Sequence, residues 1–92
     1  MLFLVISTPR PEPPSSMTPK RKDYWRWLSP LQQDGTCKGA WARAGRGAVI
    51  LFDVADNGVL HRLLNEWAEI IPAQFDVYPL IDADQAKAFL DR

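Results

Sequence analysis

Apolar residues run consecutively at two places in this chain and recur at helical spacing at two others. Residues 2–7, opening on Leu2 and Phe3, form a short apolar run whose length and following prolines predict a strand buried on both faces. Pro9, Pro11, Pro13 and Pro14 withhold backbone donors and bias the preceding residues to extended conformations, which predicts an exposed proline-rich loop over 9–18. Thr18 before Pro19 has the form of a helix cap followed by proline at the first helical position. Tyr24, Trp27 or Leu28, and Leu31 then recur at helical spacing. Pro30 lacks a donor and crowds the carbonyl of Arg26, predicting a kink or restart near Ser29, and Gly35 ends the helix in a left-handed conformation.

Two extended segments follow, over 36–44 and 48–54, separated by the glycine-rich turn Gly45-Arg46-Gly47. Asp56 can cap a second helix with a buried stripe of Leu60, Leu63, Leu64 and Trp67, leaving His61, Arg62, Asn65 and Glu66 on the polar side before Pro72 limits it. Residues 74–81 are aromatic and β-branched enough for a fourth strand. Residues 83–92 predict a helical tail with Ala86, Phe89 and Leu90 turned inward.

The order is βαββαβ plus a tail, an α+β fold of ferredoxin-like topology with two helices on one face of a four-stranded antiparallel sheet. Strand three reads Ala48, Val49, Ile50, Leu51 and Phe52, with no polar residue on either alternating face, so both faces should be covered. Helices cover one of them. A second copy covering the other predicts a homodimer or higher homo-oligomer; the alternative is a monomer whose loop and tail fold over the open face.

Composition narrows the function classes. A length of 92 residues with 47% hydrophobic content is one globular domain over 1–92. Lys plus Arg and Asp plus Glu both number 11, so no net charge draws the chain to nucleic acid or to a membrane surface. No apolar stretch approaches the roughly 20 residues of a membrane span. The lone Cys37 offers neither an internal disulfide nor a metal site with histidine at ligand spacing, which fits a reducing cytoplasm.

Several short motifs are shared with one family: Met1-Leu2-Phe3, Gly35, Trp41, Ala44-Gly45-Arg46-Gly47, Phe52-Asp53-Val54, Leu63-Leu64 and Val77-Tyr78-Pro79-Leu80. In these the chain resembles the muconolactone isomerase family. The resemblance implies a dimeric α+β barrel, no cofactor, and a proton shift within a small unsaturated lactone acid in aromatic-compound or polyketide metabolism. The chain departs from the family pattern where strand one carries Leu4 and Ile6 in place of basic polar residues. It departs again at Ala42 and Arg46, where the family has arginine and histidine. A non-catalytic oligomeric module that binds a small molecule, or a cofactor-free monooxygenase on the same fold, are the alternatives.

Proton-shift chemistry needs a base, donors for a developing enolate and a dry pocket. Asp76 is the candidate base, sharing a face of strand four with Tyr78, while Arg43 and Arg46 beside the hairpin glycines can hold a carboxylate. Otherwise Arg46 is a solvated turn residue and Arg43 pairs with an aspartate. Trp41 and Tyr78 are candidate walls for a planar ligand. Trp67 belongs to the core, Trp25 falls off the apolar stripe, His61 lies on a polar helix face, and Asp53 suits a turn or cap before Asp56. Cys37 reads as an inert buried thiol.

Overall fold

The computed structural model describes residues 1–91, so Arg92, the last residue of the expected tail, lies outside the described residues. Strands β1 (Leu2–Pro9), β2 (Cys37–Ala42), β3 (Ala48–Asp53) and β4 (Ala73–Leu80) form one antiparallel sheet in the order β2-β3-β1-β4. Helices α1 (Thr18–Asp34) and α2 (Asn57–Ile70) fall between β1 and β2 and between β3 and β4. This is the expected ferredoxin-like α+β arrangement.

Side-chain alternation divides the sheet cleanly. Phe3, Val5 and Ser7 of β1 and Ile50 and Phe52 of β3 point toward the helices and are buried with Tyr24, Leu28, Leu60, Leu63 and Trp67. Trp67 sits at the centre of an aromatic cluster, with ring centroids 4.8 Å from Phe75, 5.6 Å from Tyr24 and 6.1 Å from Trp27. Glu66, expected on the polar side of α2, is half-buried and accepts from Trp27 Nε1 at 2.9 Å, tying the two helices together.

The opposite face carries Leu2, Leu4 and Ile6 against Val49 and Leu51, all half-buried. Burial of β1 and β3 on both faces is therefore met on the helix side alone. Across the four strands one row reads Trp41, Val49, Ile6, Asp76 and the next Gly39, Leu51, Leu4, Tyr78. Trp41 lies back over Gly39, where a Cβ would come within 2.6 Å of the indole.

Local signals explain most element ends. Asp56 caps α2 by accepting from the Val59 N–H at 2.9 Å, as its sequence position predicts. Gly35 ends α1 at φ 85°. Thr18 does not cap α1: Pro14–Met17 form a 3-10 turn that runs into the helix, and Met17 is buried, so part of the expected exposed loop is ordered and packed. Pro30 neither breaks nor restarts α1. Arg26 and Pro30 are both exposed, so the carbonyl freed by the proline is open to water.

The tail also corrects the sequence reading. A short helix α3 (Ala83–Ala88) and the 3-10 turn Phe89–Asp91 are exposed throughout, including Ala86, Phe89 and Leu90, which were expected to face inward. The molecule measures 54 × 25 × 20 Å. Its radius of gyration is 14.9 Å, against about 12 Å for a compact domain of this length. No helix of the described residues is long and apolar enough to cross a membrane.

Candidate functional site

The hairpin between β2 and β3 is fastened to the end of β1 by side chains. Ser7 Oγ accepts from the Ala48 N–H at 2.9 Å and lies 3.3 Å from the Ala48 carbonyl, closing the ladder where β1 and β3 diverge. Arg43 Nη1 donates to the Ser7 carbonyl at 2.9 Å and to Thr8 Oγ1 at 3.1 Å. Arg46 Nη1 donates to the Glu12 carbonyl at 2.7 Å, so the turn also holds the proline segment. Gly47 has φ 106°, and any Cβ there would collide with the Ser7 carbonyl oxygen.

Between this hairpin and α1 lies a cavity of about 100 Å³, lined by Ser7, Arg21, Tyr24, Trp25, Arg43, Arg46, Trp67 and Ile71 among others. Its walls are aromatic and its polar groups are mostly cationic. Among the described residues no carboxylate pairs with Arg21, Arg43 or Arg46. Each guanidinium has five N–H donors, and the bonds to Ser7, Thr8 and Glu12 leave most of them unused.

Tyr24 is 5% exposed, and its hydroxyl is buried with no hydrogen-bond partner. Burial pushes the phenol well above its ordinary value, with a smaller push from Cys37, so it stays protonated. Burial raises the Cys37 thiol as well, opposed in part by a backbone hydrogen bond at Gly39. That thiol is buried, as its sequence position suggested.

Of the residues singled out by sequence, Arg43 and Arg46 meet at this cavity. Neither of their expected alternative roles is found: Arg43 bonds backbone and hydroxyl oxygens instead of an aspartate, and Arg46 is half-buried. Trp41, Asp76 and Tyr78 project from the other face of the sheet, where all three are exposed. Trp41 and Asp76 are at opposite edges, three strand spacings or about 14 Å apart. Asp76 lines neither this cavity nor the wider groove of about 830 Å³ at the other end of the open face, beside Leu2, Leu51 and Leu80. Asp53 is not the cap of α2, a role taken by Asp56; it pairs with the Met1 ammonium at 3.3 Å and Lys38 at 4.0 Å. His61 is exposed and bonds Asn65.

Arg21, Tyr24 and Trp25 were not selected by sequence reasoning. One signal was available: the first turn of α1 carries Lys20 and Arg21, followed by Lys22, and no acid, the reverse of what a helix amino terminus favours. No group of three or more His, Cys, Asp or Glu among the described residues is arranged to hold a metal.

Comparison with known proteins places this geometry. A family model described as a domain of unknown function, DUF3303, matches residues 1–92. No curated protein matches the chain. Among solved structures, muconolactone isomerase is similar at a TM-score of 0.70 and 27% identity, over 89% of this chain and 90% of that one. The 5-chloro-2-hydroxyhydroquinone dehydrochlorinase TftG of Burkholderia phenoliruptrix AC1100, in complex with 2,5-dihydroxybenzoquinone, is similar at 0.74 and 15% identity, over 92% of this chain and 98% of that one. The second likeness is one of fold.

Proposed function

The chain belongs to the DUF3303 family, and on that premise we propose that it binds a small planar carboxylate or lactone in the cavity between the β2–β3 hairpin and α1. The reaction class is cofactor-free proton-shift isomerisation, of the muconolactone isomerase kind. One observation carries this reading: three guanidinium groups without carboxylate partners among the described residues surround one small aromatic-walled cavity. Such donors hold a carboxylate and stabilise the oxygen of a developing enolate. Tyr24, Trp25 and Trp67 favour a flat ring.

A second reading has an observation of its own. No carboxylate or imidazole lines the cavity, so its described residues supply no ordinary general base. That favours a binding or accessory module without turnover. In either case the apolar face of Leu2, Leu4, Ile6, Val49 and Leu51 is proposed to pair with a second copy.

Tryptophan fluorescence titrated with muconolactone, combined with incubation in deuterated water, separates these. Binding with exchange of the carbon-bound proton supports the isomerase, and binding without exchange supports the module. Arg43→Met and Arg46→Met should each weaken binding about tenfold, the value of a charge-assisted hydrogen bond. Absence of binding to any small planar carboxylate defeats both readings.

A further inference from the structure

The cavity between the hairpin and α1 has a buried floor and an exposed rim. Tyr24 and Trp67 of the floor are buried, whereas Arg21, Trp25, Arg43 and Gly45 of the rim are exposed. Trp25 is the aromatic wall that solvent reaches, at 49% exposure. Its ring centroid lies 5.1 Å from that of Tyr24, in an edge contact at 69°, and Tyr24 is itself held by Trp27 and Trp67. The indole is therefore braced on one side and open on the other. On the hairpin side of the rim, a Cβ built on Gly45 would meet no atom within 4 Å, so the mouth stands open there.

Volume decides how a ring ligand can sit. An enclosed cavity of about 150 Å³ is of the size that takes up one benzene molecule. This cavity measures about 100 Å³ and has to receive an anionic group as well. A ring carrying a carboxylate exceeds it, so the ring stands partly outside once the carboxylate meets the guanidinium groups. Arg21 and Trp25 are four residues apart on one face of α1, so a carboxylate bonded to Arg21 keeps its ring beside the indole. The open side of that indole adds nothing to the fold, yet an aromatic ring laid against it gains more than the area it buries.

Resting on the reading of this cavity as a small-anion site, we infer that Trp25 is its specificity-determining residue: the ligand's carboxylate enters among Arg21, Arg43 and Arg46, and its ring stays at the mouth, stacked on the indole with the outer edge in water. The ligand class follows from this placement. Its ring is flat and conjugated, because a puckered saturated ring makes poor contact with an indole. It can also extend outward into a second fused ring, because the rim is open on that side.

The test compares benzoate, cyclohexanecarboxylate and 2-naphthoate, with affinity read by titration calorimetry so that replacing an indole does not remove the signal. The intact protein should bind benzoate about fivefold tighter than cyclohexanecarboxylate, the worth of one aromatic pair. It should bind 2-naphthoate at least as tightly as benzoate. Trp25→Leu should bind benzoate and cyclohexanecarboxylate equally, and Trp25→Tyr, which keeps an aromatic face, should retain the preference for benzoate. The 2-naphthoate comparison uses the parent chain alone and holds whatever the folding of the variants. If 2-naphthoate binds ten times more weakly than benzoate, the ring is enclosed; if Trp25→Leu keeps the preference for benzoate, another residue reads the ring. Either result overturns the assignment and leaves the anion site standing. If none of the three compounds binds the intact protein, the assignment and the anion site fall together.

Discussion

The two faces of this sheet are built from similar residues and end in different states. On the helix side Phe3, Val5, Ile50 and Phe52 are buried under α1 and α2. On the other side Leu2, Leu4, Val49 and Leu51, from the same two strands, stay half-exposed beside Trp41 at 56% exposure and Tyr78 at 49%. Sequence separates them only by parity. The helix face is completed within the chain and encloses a small cavity at its hairpin end; the open face is apolar without cover. An apolar face of this extent is characteristic of an interaction surface, whereas a cavity with unpaired donors is characteristic of a ligand site.

The sharpest way to separate the faces is to damage each. Trp67→Ala removes the ring that touches Tyr24, Trp27, Phe52 and Phe75, and should cost about 3 to 5 kcal/mol in urea unfolding. A loss under 1 kcal/mol would mean the cluster repacks and the helix face is not the stabilising one. Leu4→Lys strikes the centre of the open face. Because Leu4 is half-exposed, a lysine stem can lie along the sheet with its ammonium in water, so the monomer should lose at most about 1 kcal/mol. Pairing with a second copy would bury that charge, and sedimentation should show association weakened about 100-fold. A parent chain that is monomeric at all concentrations would remove the contrast at its root.

How far each face could be read from the sequence follows from the same parity. The βαββαβ order, the Asp56 cap and the Gly35 terminus rest on local signals, and each is found in place. That Asp76 and Tyr78 share one face of β4 is likewise a local fact, and it is correct. Which face holds a cavity depends instead on where α1 passes over the hairpin, which brings residues some 20 positions apart in the chain, Tyr24 and Arg43 among them, to the walls of one cavity. Hidden too was the tail: Ala86, Phe89 and Leu90 have the spacing of a buried stripe, but nothing in spacing says whether a surface lies opposite.

Alkaline pH tests the helix face by itself. Tyr24 and Cys37 are held protonated by burial, so above their ordinary values the unfolded chain releases protons that the folded chain keeps. Their contribution is unaffected at neutral pH and turns against the fold as pH rises past about 9 for the thiol and about 10 for the phenol. Unfolding free energy should fall by at most about 1.4 kcal/mol per pH unit for the phenol. Tyr24→Phe should remove that part of the slope. An unchanged slope in the variant would show that the phenol is not the responding group.

The smallest effect is expected at Asp76. Its carboxylate is exposed on the open face, makes no ion pair among the described residues, and stands on the far side of the sheet from Arg43 and Arg46. Asp76→Asn should change stability by less than about 0.5 kcal/mol, as surface substitutions do, and leave ligand affinity at the cavity unaltered. The measurement becomes decisive when paired with Arg43→Met. If Arg43→Met weakens binding and Asp76→Asn does not, the ligand sits on the helix side. If Asp76→Asn abolishes proton exchange while Arg43→Met is silent, the working site is on the open face. A second copy would then supply its missing wall, since a carboxylate this exposed becomes an effective base for a carbon acid only when burial raises its affinity for the proton. The roles of the two faces would reverse: the cavity would be a structural void beside the hairpin, and dimer formation would be a condition for catalysis. Activity of the parent chain across a dilution series would show this directly, because a site completed by a partner loses turnover as the dimer dissociates, whereas the hairpin cavity lies within one chain.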